Sequence, residues 1–135
     1  MTKLEQIRMA FSNDRFATEA ASIRIVDVQP QYAVCEMPIT PIHKNARGTP
    51  MGGAIFTLAD FASAVAANGY AEGTNVISLH ADITYLSAAK GEKLIATSHC
   101  VKHGRSTTLY AVEITDELGT QVAQVSMNGF VIKAP

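Results

Sequence analysis

Between Gly48 and Tyr70 the chain carries a single charged side chain, Asp60, inside the run GTPMGGAIFTLADFASAVAANGY. The residues after Gly53 are rich in Ala, Leu, Ile and Phe and lack proline. That pattern predicts a helix with apolar residues on every face, and such helices are normally buried. A carboxylate there either points down a polar crevice to a partner such as Arg47 or Lys44, or sits in an environment that tunes it for chemistry. Gly52-Gly53 opens the same helix. A helix N-terminus presents unpaired N–H groups and the positive end of a dipole, and without a Cβ the backbone admits a ligand closely. The Gly53 N–H is therefore the candidate donor to a developing oxyanion, against the plainer alternative that the pair only makes a tight turn. Gly53 and Asp60 are separated by about 10 Å of helix at ~1.5 Å per residue, too far for one reacting carbonyl to touch both. If both act on one atom, the helices of two subunits must lie side by side in opposite directions, Gly53 of one facing Asp60 of the other.

The remaining composition narrows the setting. The chain has 135 residues, with 11 basic and 12 acidic side chains, a net charge of -1 and no run of either sign. The electrostatic footprint of a nucleic-acid binder is missing, and the length suits one domain, residues 1–135, with its own core. Cys35 and Cys100 lie far apart without CxxC spacing and read as buried thiols in a reducing compartment. The opening stretch MTKLEQIRMAFSNDRF has no signal-peptide h-region. The apolar helix is too short, and carries Asp60, to span a membrane, so a cytoplasmic protein is expected. His80, His99 and His103 show no metal-ligand spacing, and no metal is expected.

The elements that must position Gly53 and Asp60 follow from periodicity. Lys3 to Ala10 and Asp14 to Ala20 read as short amphipathic helices forming an N-terminal segment over 1–20, the second capped by Asn13 or Asp14. Ser22 to Val28 and Gln31 to Pro38 are β-rich runs around a turn at Gln29-Pro30, followed by a polar loop from Ile39 to Pro50. Beyond the helix the period becomes two. In Val76 to Tyr85, Ile77, Leu79, Ala81, Ile83 and Tyr85 alternate with Ser78, His80, Asp82 and Thr84, which predicts a half-buried antiparallel strand with the first set inward. Three more strands follow at hairpin spacing, Lys93 to Lys102, Ser106 to Thr115 and Gln121 to Ile132. The layout is α+β, an antiparallel sheet with one central helix.

Asn45, Gly48, Gly52-Gly53 at the start of the helix and FTLAD ending at Asp60 resemble the hotdog-fold acyl-CoA thioesterases of the phenylacetate-pathway (PaaI-like) family. The likeness runs on through SLHADITYLSAAKGEKLIATS and GRSTTLYAVEITDELGTQVAQ, from Ser22 to Ile132. It implies a hotdog fold, with the sheet wrapped around one long helix at about residues 52–68, and hydrolysis of an acyl-coenzyme A thioester to free acid and CoA. It also implies a homodimer with shared active sites, often paired into a dimer of dimers, and no cofactor beyond the coenzyme A of the substrate. Asp60 would be the general base for water or the nucleophile that forms an anhydride. The Gly53 N–H of the partner subunit would be the oxyanion donor. Asn45 would hold the carbonyl or position the water; as an ordinary turn residue it would bond its own backbone instead. Ser78 falls where some relatives place a Ser or Thr that bonds the water or the carboxylate; its alternative is exposure on the polar strand face.

Many relatives carry His directly before the glycine pair, where this chain has Met51, and a thioether cannot donate the hydrogen bond that a His can. His43 could stand in, although an exposed loop His is the plainer expectation. Met51 and Gly52 fall among the expected substrate contacts. Lys90, Lys93, Lys102 and Arg105 are the cations near strand ends available to coenzyme A phosphates, and the turn His103-Gly104-Arg105-Ser106 resembles a nucleotide-contacting segment of hotdog relatives. An apolar acyl pocket would be lined in part by Phe56, Phe61 or Tyr85. Two other functions fit the resemblance: an acyl-thioester hydratase, which would want the His that Met51 replaces, and a non-catalytic acyl-CoA-binding protein.

Overall fold

The computed structural model describes residues 1–133. Helix α1, Lys3–Phe11, begins where the Thr2 hydroxyl accepts the Glu5 N–H at 3.1 Å. The helix expected over Asp14 to Ala20 is a single wide π-turn, Phe16–Ala20, closed by the Ala21 N–H on the Phe16 carbonyl and ended by Ser22 at φ 59°. Strands β1, Arg24–Gln29, and β2, Tyr32–Pro38, form a hairpin across Pro30-Gln31. Proline presets the first φ of that turn, and Gln31 takes the positive φ, 61°. After a loop with one 3₁₀ turn at Pro41–His43 comes helix α2, Gly52–Asn68, over the expected residues. Strands β3, Thr74–Tyr85, β4, Lys93–His103, β5, Thr107–Asp116, and β6, Gln121–Lys133, complete the chain. All six strands form one antiparallel sheet in the order β1-β2-β4-β5-β6-β3. The sheet curls around α2, whose Leu58, Ala59, Ala62 and Val65 are fully buried against Cys35, Met37, Leu94, Ala96 and Ile114.

Two expectations change here. The helix is not buried on every face. Gly53, Thr57, Asp60 and Ala64 recur at helical spacing as one stripe that stays open or half-buried, with Gly53 and Asp60 exposed. A sheet curled around one side of a cylinder leaves the opposite side of the helix uncovered, whatever its composition. In β3, the register shifts between Ser78 and His80, so that Ser78 pairs Gly129 and His80 pairs Asn128, with Leu79 bulged. The bulge reverses the phase of the alternation. Val76, Ala81 and Ile83 pack toward the core, whereas Ile77 and Leu79 are 46% and 59% exposed rather than inward. Ser78 lies opposite Gly129, which lies opposite the buried Thr108, so it is on the helix side of the sheet, although it remains exposed there.

Asp116, at the end of β5, shapes the turn that follows Ala89. Its carboxylate accepts the N–H groups of Lys90 and Gly91 with one oxygen and those of Leu118 and Thr120 with the other, at 2.8–3.0 Å. Burial by itself would raise its pKa, but these backbone donors win and hold the group well below the usual carboxylate range.

Candidate active site

The way into α2 leaves two amides uncommitted. The Met51 N–H bonds the His43 carbonyl at 2.8 Å, and the Ala54 and Ile55 N–H groups both bond the Met51 carbonyl at 3.0 Å. The Gly52 and Gly53 N–H groups have no acceptor among the described residues. Neither glycine has a positive φ, so the pair is not there for backbone freedom. Its role is clearance. A Cβ on Gly52 would lie 2.9 Å from the Tyr85 hydroxyl oxygen, and one on Gly53 would meet only the Met51 methyl, at 2.7 Å.

Asn45 stands beside this helix end on the preceding loop. Its Oδ1 accepts the backbone N–H groups of Arg47 and Thr49 at 3.0 and 3.2 Å, the turn geometry open to any loop Asn. Because Oδ1 is committed, the amide nitrogen is the free end, and it is a donor. Gly48 closes the same turn at φ 83°, its N–H on the Asn45 carbonyl. Asn45, Gly52, Ile55 and Tyr85 line a cavity of about 410 Å³ whose far wall is the segment Leu86 to Ala89.

Asp60 lies on the open stripe of α2, in a recess of about 370 Å³ bounded by Asp14, Phe16, Thr57, Phe61 and Ala64. It pairs with neither Arg47 nor Lys44, and among the described residues it forms no ion pair. Arg15, on the rim, is engaged with Glu19. The carboxylate is exposed on its outer side, yet the recess walls strip part of its water. That desolvation, and secondarily the like charge of Asp14, push its pKa above the ordinary aspartate value. Ala64 also borders the small recess that Ser78 lines with Ser63 and Thr108, so the recesses of Asp60 and Ser78 share one wall residue. Between Asp60 and the helix N-terminus an apolar cleft of about 430 Å³ runs along Phe16, Ala20, Ile42, Met51, Ala54 and Thr57.

Other candidates lie elsewhere. His43 is not an exposed loop residue. It is 4% exposed, with Nδ1 accepting the Thr40 N–H at 3.1 Å and Nε2 2.7 Å from the Ala21 carbonyl. The Thr40 donor assigns the ring hydrogen to Nε2, and both nitrogens are thereby used to tie the π-turn to the loop before α2, so His43 does not replace a His at Met51. Phe61 is 3% exposed and packs edge-to-face on Phe11 at 5.8 Å, a core residue that also floors the Asp60 recess. Phe56 is half-buried against the core and borders neither cavity at the helix N-terminus. Lys90 and Arg105 occupy the turns at opposite ends of β4, about 35 Å apart at ~3.3 Å per residue, so one chain cannot bring both to one phosphate group.

A family profile for the thioesterase superfamily matches residues 48–123, which span the Gly52-Gly53 pair, Asp60 and strands β3 to β5. The chain belongs to the thioesterase superfamily. It is a hotdog-fold thioester hydrolase of the PaaI-like kind. Human acyl-coenzyme A thioesterase 13 is 33% identical over 124 residues, covering 90% of this chain and 89% of that protein. Acyl-coenzyme A thioesterase PaaI of Escherichia coli is 31% identical over 114 residues, covering 84% and 79%. Its solved structure superposes with a TM-score of 0.88 at 26% identity, covering 98% of this chain and 95% of that one. A hypothetical thioesterase protein of Streptococcus pneumoniae, solved with coenzyme A, superposes with a TM-score of 0.82 at 26% identity, covering 91% and 97%.

Three features of this thioesterase's site escaped the sequence reading. Asp14 beside Asp60 reads in sequence as a helix cap. Phe16 and Ile42, 71% and 76% exposed at the apolar cleft, come from segments whose approach to α2 has no local signal. The contact of Tyr85 with Gly52 joins residues 33 apart in the chain.

Proposed function

We propose that this protein hydrolyses acyl-coenzyme A thioesters in the cytosol, at two sites shared between the subunits of a homodimer that pairs again into a tetramer. The observation that carries the reading is the open stripe of α2, with uncommitted N–H groups at its start and a carboxylate of raised pKa two turns on. A free helix N-terminus suits an anion that develops during attack on a carbonyl. A carboxylate with a raised pKa is a better base for water than an ordinary aspartate. In this reading the Gly53 N–H receives the oxyanion, Asp60 of the partner subunit activates water or attacks directly, the free amide of Asn45 holds the carbonyl, and Ser78 supports the water or the carboxylate. Gly52, Met51 and Tyr85 border the thioester, and the apolar cleft suits the acyl group. Lys90 of one chain and Arg105 of another meet the coenzyme A phosphates. The chemistry needs no metal or other cofactor, since water and a carboxylate suffice.

The dimer is argued from two features. One edge of the sheet is β3, 12 residues long with Ile77 and Leu79 exposed, and a long uncovered edge strand is a template for pairing with another chain. Gly53 and Asp60 lie on one stripe about 10 Å apart, so antiparallel helices of two copies bring them together.

The test is free-thiol release from short, medium, long and aromatic acyl-CoA substrates, wild type beside Asp60→Asn. The expected result is turnover by the wild type and a loss of at least 10²-fold in the mutant with its oligomeric state unchanged, in line with removal of a general base. Binding of acyl-CoA without thiol release by the wild type on any substrate would overturn the catalytic reading and leave a binding protein.

A further inference from the structure

We propose that Tyr85 is a positioning residue that aims and polarises the Gly53 N–H. The inference rests on the reading of that N–H as the oxyanion donor. The Tyr85 hydroxyl donates to the Gly52 carbonyl oxygen at 2.9 Å. That carbonyl and the Gly53 N–H are the two ends of one peptide group, which is planar and, as throughout the chain, trans. A hydrogen bond received at the oxygen therefore acts on the same rigid unit that presents the hydrogen. It draws electron density toward the oxygen, leaves the N–H more positive, and restrains rotation of the peptide plane about the helix start.

The glycine pair acquires a division of labour. Gly52 is glycine because a Cβ there would lie 2.9 Å from the Tyr85 oxygen and 3.1 Å from the adjoining ring carbon, displacing the hydroxyl from the carbonyl. Gly53 supplies the donor, with only the flexible Met51 methyl over its open face. Tyr85 is well placed for this because it is the last residue of β3, where the strand passes the N-terminus of α2. Its ring is 51% exposed and stands in the wall of the cavity that Asn45 and Gly52 share.

The size of the effect follows from two general magnitudes. An oxyanion-hole donor is worth roughly 10²- to 10³-fold in kcat, and hydrogen bonds in series strengthen one another by roughly 10–30%. Applied to the logarithm of the rate, these give a loss of about two- to eight-fold when the hydroxyl is removed.

The experiment compares wild type, Tyr85→Phe, Gly52→Ala and the double variant by thiol release and by the affinity of two acyl-CoA analogues. One is a trifluoromethyl ketone, whose hydrate is a tetrahedral gem-diol that ionises to an oxyanion; the other is a thioether without a carbonyl. Tyr85→Phe should lower kcat by about two- to eight-fold with KM unchanged. It should weaken the ketone by the same factor and leave the thioether alone. Gly52→Ala should give a similar loss, and the double variant no more than either single one. Equal affinities for the ketone in wild type and Tyr85→Phe would overturn the proposal, as would a loss shared equally by both analogues, the sign of a merely structural strut. The ratio of the two affinities is readable even if the wild type releases no thiol, so failure of the thioesterase reading and failure of this one are separate results.

Discussion

Asp60 derives its character from its surroundings, not from burial in the ordinary sense. It stands on an exposed stripe, yet the walls of its recess and the carboxylate of Asp14 both favour its neutral form. The sign of the pH dependence follows. In the proposed mechanism Asp60 must be ionised to act, so activity falls as pH drops through its pKa, and a raised pKa places that acid limb above the range of an ordinary aspartate, about 3.9. Asp14→Asn removes the repulsive contribution and leaves the desolvation. The acid limb of a kcat/KM profile should then move to lower pH with little change in the plateau, the size of the move being limited by solvent screening on the open side. A limb that stays in place would mean that Asp14 does not reach Asp60 electrostatically. Stability carries the opposite sign. A folded-state pKa above the unfolded value means that ionised Asp60 disfavours folding at neutral pH, and that stability is recovered as pH falls through the folded pKa.

The elements around the stripe hold it by local devices. The loop before α2 is pinned by His43, by the Asn45 turn and by Gly48, whose φ of 83° lies in the left-handed region with nothing within 4 Å of a would-be Cβ. Gly48→Ala meets no clash, so its cost is conformational, about 1–2 kcal/mol. Urea unfolding should show that loss as a lower midpoint with an unchanged slope. Turnover should fall at the same time, because the strain acts on the turn that presents the Asn45 amide. The bulge at Ser78–His80 works in β3 as Gly48 does in the loop. One extra residue turns Ser78 toward α2 and leaves Leu79 on the open side.

The assembly of two copies is where the proposed chemistry is completed, and complementation tests it directly. Asp60→Asn and Gly53→Pro each remove one partner of the shared site, and each homodimer should be inactive. In a mixed dimer one site combines the intact Gly53 of the first chain with the intact Asp60 of the second. Random exchange makes about half the dimers mixed, each with one working site of two, so mixing should restore about a quarter of wild-type turnover. Sites confined to single chains would recover nothing on mixing. The same geometry bears on coenzyme A. Lys90 and Arg105 sit at opposite ends of β4, and only neighbouring chains can bring such distant cations to one nucleotide.

Much of this molecule is written in local pattern. Period-two strands, an apolar run between Gly52 and Asn68, and glycines at hairpin spacing determined the sheet, the helix and its limits, because hydrophobic periodicity and turn chemistry act over a few residues at a time. Asp60 and the Gly52-Gly53 pair were legible for the same reason, as an isolated charge and a missing pair of side chains in an otherwise apolar helix. The open stripe of α2 was not legible, since composition says how apolar a helix is and only the curl of the sheet says which side it covers. The reversal of phase at Leu79 depends on a register shift against β6, invisible in β3 alone. The burial of His43, the approach of Asp14 to Asp60 and the reach of Tyr85 to Gly52 join residues that lie between 22 and 46 positions apart. Such contacts are set by how the chain returns on itself, and the tertiary structure alone decides them.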